Sequence, residues 1–340
     1  MVEKKQDYKF PNLVGTHIGQ FIITKDLPRV GLMSAIYVAE TSNRYQDIEY
    51  RKREVVIKIA RNDATVFDES LVNEVKCLQN LRHPNIIHLL PMLTSNNILV
   101  YWLRAEELKQ HFNGNAPFYY SMEYLKGRSL YDYLYPTPPN TRPKRPANTL
   151  SQEEWMWNIE LIYQIAITID YLHRLNIAHR DIKPDNIIFR KPPTIHERPH
   201  PVLIDFGLWS TGNQRLDTTL ERAGSPHYLS PERVIAKKLA QPNQPVTRDD
   251  YANHLPSDIW ALGIITHEIF YGHHPFSASL HDDTKLANAI INEPLQLKGK
   301  WENVKSLISR MLTKVREDRP TIREVIDILE TEMGVLPPRI

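Results

Sequence analysis

The sequence predicts an α+β fold in two parts, a small antiparallel β-rich part followed by a larger, mainly helical one. Three observations lead there. Short runs of β-branched and aromatic residues, bounded by polar stretches, crowd the chain before residue 125. Beyond MEYLKG (Met122–Gly127) apolar residues recur instead at helical spacing over long stretches. The 25 prolines outnumber the 12 glycines and cluster where neither helix nor central strand can persist.

In chain order, GQFIIT (Gly19–Thr24), SAIYVAE (Ser34–Glu40), REVVIKIA (Arg53–Ala60), NILVYWL (Asn97–Leu103) and PFYYSMEY (Pro117–Tyr124) read as strands. One helix interrupts them: in SLVNEVKCLQNL, Leu71, Val75, Leu78 and Leu81 repeat three or four residues apart. Four later segments read as helices, Glu153–Leu175, Pro256–Gly272, Trp301–Leu312 and Thr321–Glu330. The proline clusters Tyr135–Asn148, Arg190–Pro201 and Gln241–Pro245 are expected to be surface loops, the basic RPKRP piece of the first being solvated. No internal repeat is visible at solenoid periods. A small β-rich unit joined to a larger helical one is expected to hold its ligand in the cleft between them.

Composition excludes several classes. With 41% hydrophobic and 24% charged residues, the 340-residue chain has the make-up of a soluble globular protein. Lys+Arg 42 against Asp+Glu 40 gives a net charge of +2, so no strong field points to nucleic acid or an anionic membrane. The single cysteine, Cys77, excludes an internal disulfide framework and a cysteine-rich zinc site, and suits a reducing compartment. No apolar run approaches the ~20 residues that span a bilayer, and MVEKKQDYKF lacks the apolar core of a secretory signal. The expectation is an intracellular, cytoplasmic protein, with nuclear access through RPKRP the weaker reading. His254, His267, His273 and His274 form no H-E-x-x-H pattern and are expected at the surface or in packing.

The most informative stretch is HRDIKPDNIIF (His179–Phe189), followed by VLIDFG (Val202–Gly207). Asp181 is a lone carboxylate flanked by Arg180 and Lys183. Asn186 and Asp205 then supply hard oxygen atoms of the kind Mg²⁺ prefers. An isolated Asp in a loop is usually a turn or helix-cap residue; the ordered combination of HRD, Lys, Asn and DFG goes well beyond that.

These motifs closely resemble those of the eukaryotic-type serine/threonine protein kinase family, over about Gln20 to Leu329. The resemblance implies a two-lobed kinase-like fold: an extension 1–19, a small ATP-binding lobe 20–124, a large catalytic lobe 125–333 with an activation segment 205–232, and a tail 334–340. It implies ATP and Mg²⁺ as cofactors. Asp181 would be the catalytic base, Asn186 and Asp205 the metal ligands, and Lys183 the cation that offsets charge on the transferring phosphoryl group. VVIK (Val55–Lys58) resembles the strand whose lysine grips the α- and β-phosphates, so Lys58 would pair with Glu74, which faces inward between Leu71 and Leu78. Glu69 sits off that face.

The glycine-rich loop departs from the family pattern. Only Gly31 remains of three glycines, with Arg29 and Ser34 in place of the others. Close approach of backbone amides to phosphate favours glycine, so a stiffer loop is expected. Around the adenine the resemblance places Ile36, Val56, Ile188, a gatekeeper Met122, and the backbone of Glu123 and Leu125. GSPHYLSPE (Gly224–Glu232) resembles the substrate-binding loop, with Ser225 supplying a hydroxyl for Asp181 and Lys183. Glu232 would pair with Arg319, and Asp258 would brace the catalytic-loop backbone.

Protein substrates with Ser or Thr are the implied partners, with self-association for autophosphorylation as a second class, no nucleic acid and no membrane insertion. Thr218 and Thr219 stand where activating phosphorylation commonly occurs, and Glu221 offers Arg180 a built-in carboxylate. Two other readings remain open from sequence: a pseudokinase scaffold that binds nucleotide weakly, and a small-molecule kinase of related fold.

Overall fold

Branched and aromatic residues on both faces of a strand demand cover on both sides. In the computed structural model, which describes residues 11–27, 34–41, 54–60, 65–136, 150–212, 224–239, 253–277, 280, 282–297 and 301–334, the first part supplies it. Strands β1 (Phe21–Asp26), β2 (Ser34–Thr41) and β3 (Glu54–Ala60) lie side by side, and β4 (Phe118–Glu123) pairs with β3, all antiparallel. Val55 through Ala60 are all buried. Helix α1 (Thr65–Gln79) buries Leu71, Val75 and Leu78 and packs against β3 and β4. Within the stretch set apart as an extension, Leu13 and Ile18 are buried, and His17–Ile18 pairs with β1.

The expected strand over Asn97–Leu103 is divided. Asn97 takes a left-handed conformation (φ 58°), turning Leu99–Val100 back onto Met92–Leu93, while Leu103–Arg104 pairs with β4. The 3₁₀ helix Glu106–Phe112, which carried no clear periodic signal, buries Leu108 and Phe112.

The chain divides into two compact units: residues 1–82 with 87–124, and 83–86 with 125–340. Residues 83–86 group with the second because Asn85 donates its side-chain amide to the Pro201 carbonyl and accepts from the Leu203 N–H. That unit is built on α2 (Gln152–Arg174), the short antiparallel strands β5 (Ile187–Phe189) and β6 (Pro201–Leu203), and helices α3 (Pro231–Leu239), α4 (Leu255–Tyr271), α5 (Asp283–Asn292), α6 (Glu302–Met311) and α7 (Ile322–Glu332).

Its helices start where the sequence supplies caps. Ser151 with Glu154 and Thr321 with Glu324 form capping boxes, and Asp282 accepts from the first N–H groups of α5. Helix α4 is mostly apolar and buried from Ser257 to Phe270, the mark of a central helix. Helix α6 packs on α4, α7 on α2, and α3 against α5. Among the described residues no helix is long and apolar enough to cross a membrane.

Of the proline clusters, Arg190–Pro201 is a surface loop that ends as β6 begins. Most of Tyr135–Asn148 and all of Gln241–Pro245 lie outside the described residues.

Candidate active site

In the first unit, strand register decides which side chains share a face. Ile36 lies opposite Lys58, and Val56 opposite Met122. Because opposite residues, and residues two apart, point the same way, Ile36, Val56, Lys58 and Met122 occupy one face of the sheet. Val56 and Met122 are largely buried; Ile36 is half-buried.

Lys58 Nζ donates to Glu74 Oε2 at 2.7 Å, with both side chains buried. The helical spacing that turned Glu74 inward thus delivers the expected partner. Burying two charges is costly unless they are paired, so this pair holds α1 against β3 in one register. One turn further, burial pushes the Cys77 thiol up to about 12, with Glu74 adding to the effect. Cys77 is therefore a packing residue rather than a nucleophile. Glu123 donates its N–H to the His88 carbonyl at 3.0 Å, and its carboxylate accepts from the His88 N–H at 3.2 Å. Gly31 and Arg29 lie outside the described residues; Ser34 is buried at the start of β2.

In the second unit the chemistry converges on Asp181. Its Oδ2 accepts from Lys183 Nζ at 2.8 Å and from Asn186 Nδ2 at 3.0 Å. Its Oδ1 accepts from the backbone N–H and the hydroxyl of Ser225, both at 3.2 Å. Lys183 Nζ also donates to Ser225 Oγ at 2.7 Å, so the Ser225 proton is directed at Asp181. A carboxylate offers about four lone-pair sites, and here four donors meet them. An incoming hydroxyl would displace the weakest of them, the Ser225 hydroxyl being the natural one to yield. Gly224 (φ 121°) lets the chain reach this position; a Cβ there would crowd Leu229 and Arg233.

Asp181 is held from beneath by Asp258 on α4. The Arg180 and His179 N–H groups each donate to it at 2.9 Å, and His173 Nε2 lies 3.1 Å away. Burial pushes the Asp258 carboxyl up, but His173, the His179 ring and the Arg180 N–H outweigh it and hold it below the usual range. Burial lowers His179, against the opposing charges of Asp258, Asp181 and Asp205. Arg180 and Asp205 both take left-handed backbone (φ 67° and 63°), unusual for non-glycine residues and found at sites where surrounding bonds hold the strain. The Arg180 guanidinium donates to the Leu208 carbonyl at 3.3 Å, and the Arg180 carbonyl accepts from Arg233. Thr218, Thr219 and Glu221, and any pairing of Glu221 with Arg180, lie outside the described residues.

The donor set suits Mg²⁺. Asn186 spends its amide N–H groups on Asp181, leaving the amide oxygen as its ligand atom, and the Asp205 carboxylate is a hard oxygen donor. Among the described residues there is no group of three or more His, Cys, Asp or Glu that could hold a metal ion by itself. Ile188, in β5, is half-buried and Leu125 buried. Gly127 follows; a Cβ there would lie 2.1 Å from the Phe189 carbonyl, so only glycine fits.

Arg319 makes a two-pronged pair with Glu232, at 2.8 and 2.6 Å, and donates to the carbonyls of Thr313, Pro256 and Lys314. Sequence reasoning missed the Glu268 cluster. Tyr135 and Tyr228 both donate to this buried carboxyl of α4, at 2.9 and 3.1 Å. Burial pushes Glu268 up to about 7, resisted by the two tyrosine donors and reinforced by the charge of Asp185. Nothing in the local sequence signals a contact between positions 133 residues apart. Pro226, Leu229, Val234, Leu286, Ala287 and Ile290, with Asp283 and Thr284, line a mostly apolar cavity of about 220 Å³.

A family model described as protein kinase domain matches residues 41–328. The matched range begins after the glycine-poor loop. Among curated proteins, serine/threonine-protein kinase DCLK1 of Rattus norvegicus is 29% identical over 283 residues, covering 81% of this chain and 53% of that protein. Serine/threonine-protein kinase Sgk1 of Rattus norvegicus is 35% identical over 156 residues, 46% of this chain and 31% of its own. Serine/threonine-protein kinase Sgk1-A of Xenopus laevis is 31% identical over 209 residues, 61% and 40% respectively. The chain thus spans between about a third and about half the length of these relatives.

Proposed function

The chain belongs to the protein kinase domain family, and from that premise we propose that it is an active serine/threonine protein kinase that uses ATP and Mg²⁺. The observation that carries the reading is the four-donor cradle of Asp181, in which Lys183, Asn186 and Ser225 converge on one carboxylate. A base that must orient a hydroxyl, beside a cation that must meet developing phosphoryl charge, needs this composition.

In this reading Asp181 accepts the hydroxyl proton of a substrate Ser or Thr as its oxygen bonds to the γ-phosphorus and the bond to the β-phosphate oxygen breaks. Lys183 offsets charge on the transferring group. Lys58, fixed by Glu74, positions the α- and β-phosphates. Asn186 and Asp205 hold Mg²⁺, which when bound neutralises phosphate charge. Ile36, Val56, Met122, Leu125 and Ile188 supply apolar contact to adenine, Glu123 and Leu125 supply backbone groups, and Gly31 approaches the phosphates. The resemblance to Sgk1 and DCLK1, named as serine/threonine-protein kinases, supports proteins as substrates. Autophosphorylation at Thr218 or Thr219, with Glu221 supporting basal activity through Arg180, and a cytoplasmic location belong to the same proposal.

The second reading, a nucleotide-binding pseudokinase, rests on Arg29 and Ser34 in the glycine loop. The test is Mg²⁺-dependent phosphate transfer from ATP to a peptide library by wild type, Lys58→Met, Asp181→Asn and Asp205→Asn. Active transfer lost in all three folded variants supports the kinase. Wild type that binds ATP but transfers nothing supports the scaffold.

A further inference from the structure

The loop that begins at Ser225 has a second anchor that the mechanism above does not use. His274 lies three residues beyond the C-terminus of α4 and is buried. Its Nδ1 accepts the Phe276 N–H at 3.1 Å, and its Nε2 lies 2.8 Å from the His227 carbonyl. An imidazole nitrogen that accepts carries no proton, so the proton sits on Nε2 and is donated to His227. The tautomer is thus set by the backbone of one segment and spent on the backbone of another. Burial moves the ring down to about 4, against the opposing pull of its bond to the His227 carbonyl and with the charges of His227 and His273 adding to the lowering. The titratable rings around it are those two and Tyr228, 6.1 Å away, which donates to Glu268.

We propose that His274 is a positioning residue for substrate, fixing the Pro226–Tyr228 turn so that the apolar cavity beside Asp181's loop keeps its shape for a peptide side chain. Ser225 touches Asp181, so a hydroxyl presented there brings its neighbouring residues past Pro226 and Leu229, which wall the cavity. The turn is pinned at its middle residue by His274 and at its last by Glu268, both from the C-terminal end of α4. Releasing the His227 carbonyl frees the cavity wall while leaving the Asp181 cradle, made two residues earlier at Ser225, in place. The inference rests on the kinase reading for its kinetic consequence but not for its structural one.

The two nitrogens can be separated by substitution. Glutamine places an N–H donor near the Nε2 position, whereas asparagine reaches only as far as Nδ1. Peptide KM, ATP KM and peptide-free ATP hydrolysis are measured for wild type, His274→Gln, His274→Asn and His274→Ala, with the exposed His273→Ala as control. Backbone amide exchange over residues 227–230 is followed in parallel. Alanine and asparagine should raise peptide KM about two- to tenfold, the span of one neutral hydrogen bond, and speed exchange in 227–230. Glutamine should stay within about twofold of wild type on both, and ATP KM and hydrolysis should not move. Wild-type peptide KM and exchange in the alanine variant overturn the proposal, as does a glutamine variant that behaves like alanine. Should alanine fail to fold, the glutamine–asparagine comparison decides alone. If wild type phosphorylates no peptide, the kinase reading fails, and amide exchange still judges the His274 link.

Discussion

Replacing Asp258 by Asn removes one charge, changes almost no volume and strikes three hydrogen bonds at once. The Arg180 and His179 N–H groups and His173 Nε2 all converge on the two carboxylate oxygens at 2.9 to 3.1 Å. An amide has one accepting oxygen, so either orientation turns an NH₂ toward at least one N–H. Hydrogen bonds to a charged group contribute about 1.5–3 kcal/mol each, and a buried donor left unmet costs about 1–3 kcal/mol. Since these effects are not additive within one network, the expected loss is about 3–5 kcal/mol of unfolding free energy. The functional loss follows from Arg180, whose left-handed backbone (φ 67°) is held by that N–H bond. Once released it relaxes, and Asp181, the next residue, shifts with it. A displacement of about 1 Å at a catalytic group costs on the order of 10²-fold, so kcat should fall by roughly one to two orders of magnitude. Urea denaturation monitored by tryptophan fluorescence gives the first quantity, and steady-state peptide phosphorylation the second. A variant with a wild-type midpoint and wild-type kcat would show that Asp258 does not brace this loop.

Four further outcomes are expected. Arg319→Met should cost about 3–5 kcal/mol because it strands the largely covered Glu232 carboxylate and three carbonyls, and pairing it with Glu232→Leu should recover a large part in the same urea assay. His267 and His274 sit near 4 in the folded chain against 6.5 unfolded, so the unfolded state takes up protons first as pH falls. Stability should then drop between about pH 6.5 and 4 by at most about 3 kcal/mol per ring, and His274→Gln should flatten part of that slope in pH-dependent melts. Glu268 has the opposite sign: its raised carboxyl favours the fold fully below about 4.5 and loses that contribution as pH rises through about 7, so Glu268→Gln should gain relative stability at pH 8. Restoring glycine at Arg29 and Ser34 should lower the KM for ATP; a higher value would mean these side chains assist nucleotide binding.

Local regularities made much of this legible. The three- and four-residue spacing through Leu71, Val75 and Leu78 turned Glu74 inward, and the pairing with Lys58 that the family resemblance implied is found there. The Ser225 hydroxyl and the Glu232–Arg319 pair were likewise anticipated from motif positions. What escaped was set by long-range contact. NILVYWL has strand composition, yet the turn at Asn97 and two different pairing partners divide it. Glu268 and His274 look like ordinary residues of a helix and a loop until Tyr135, Tyr228 and the His227 carbonyl are brought to them by tertiary packing.

The Arg190–Pro201 loop shows how twelve irregular residues can be kept in place at low entropic cost. It is fastened along its length: Trp157 donates to the Glu197 carbonyl, Arg198 pairs with Glu160, His196 meets Glu153, and Arg190 N–H closes on His200. Four of its residues are prolines, whose φ is as restricted in the unfolded chain as in the folded one. Ordering the segment therefore sacrifices fewer chain conformations than a glycine–serine stretch of equal length would. Its firmness arises from the poverty of its unfolded state as much as from the bonds that dock it, and a more flexible replacement would lose stability even with every docking bond retained.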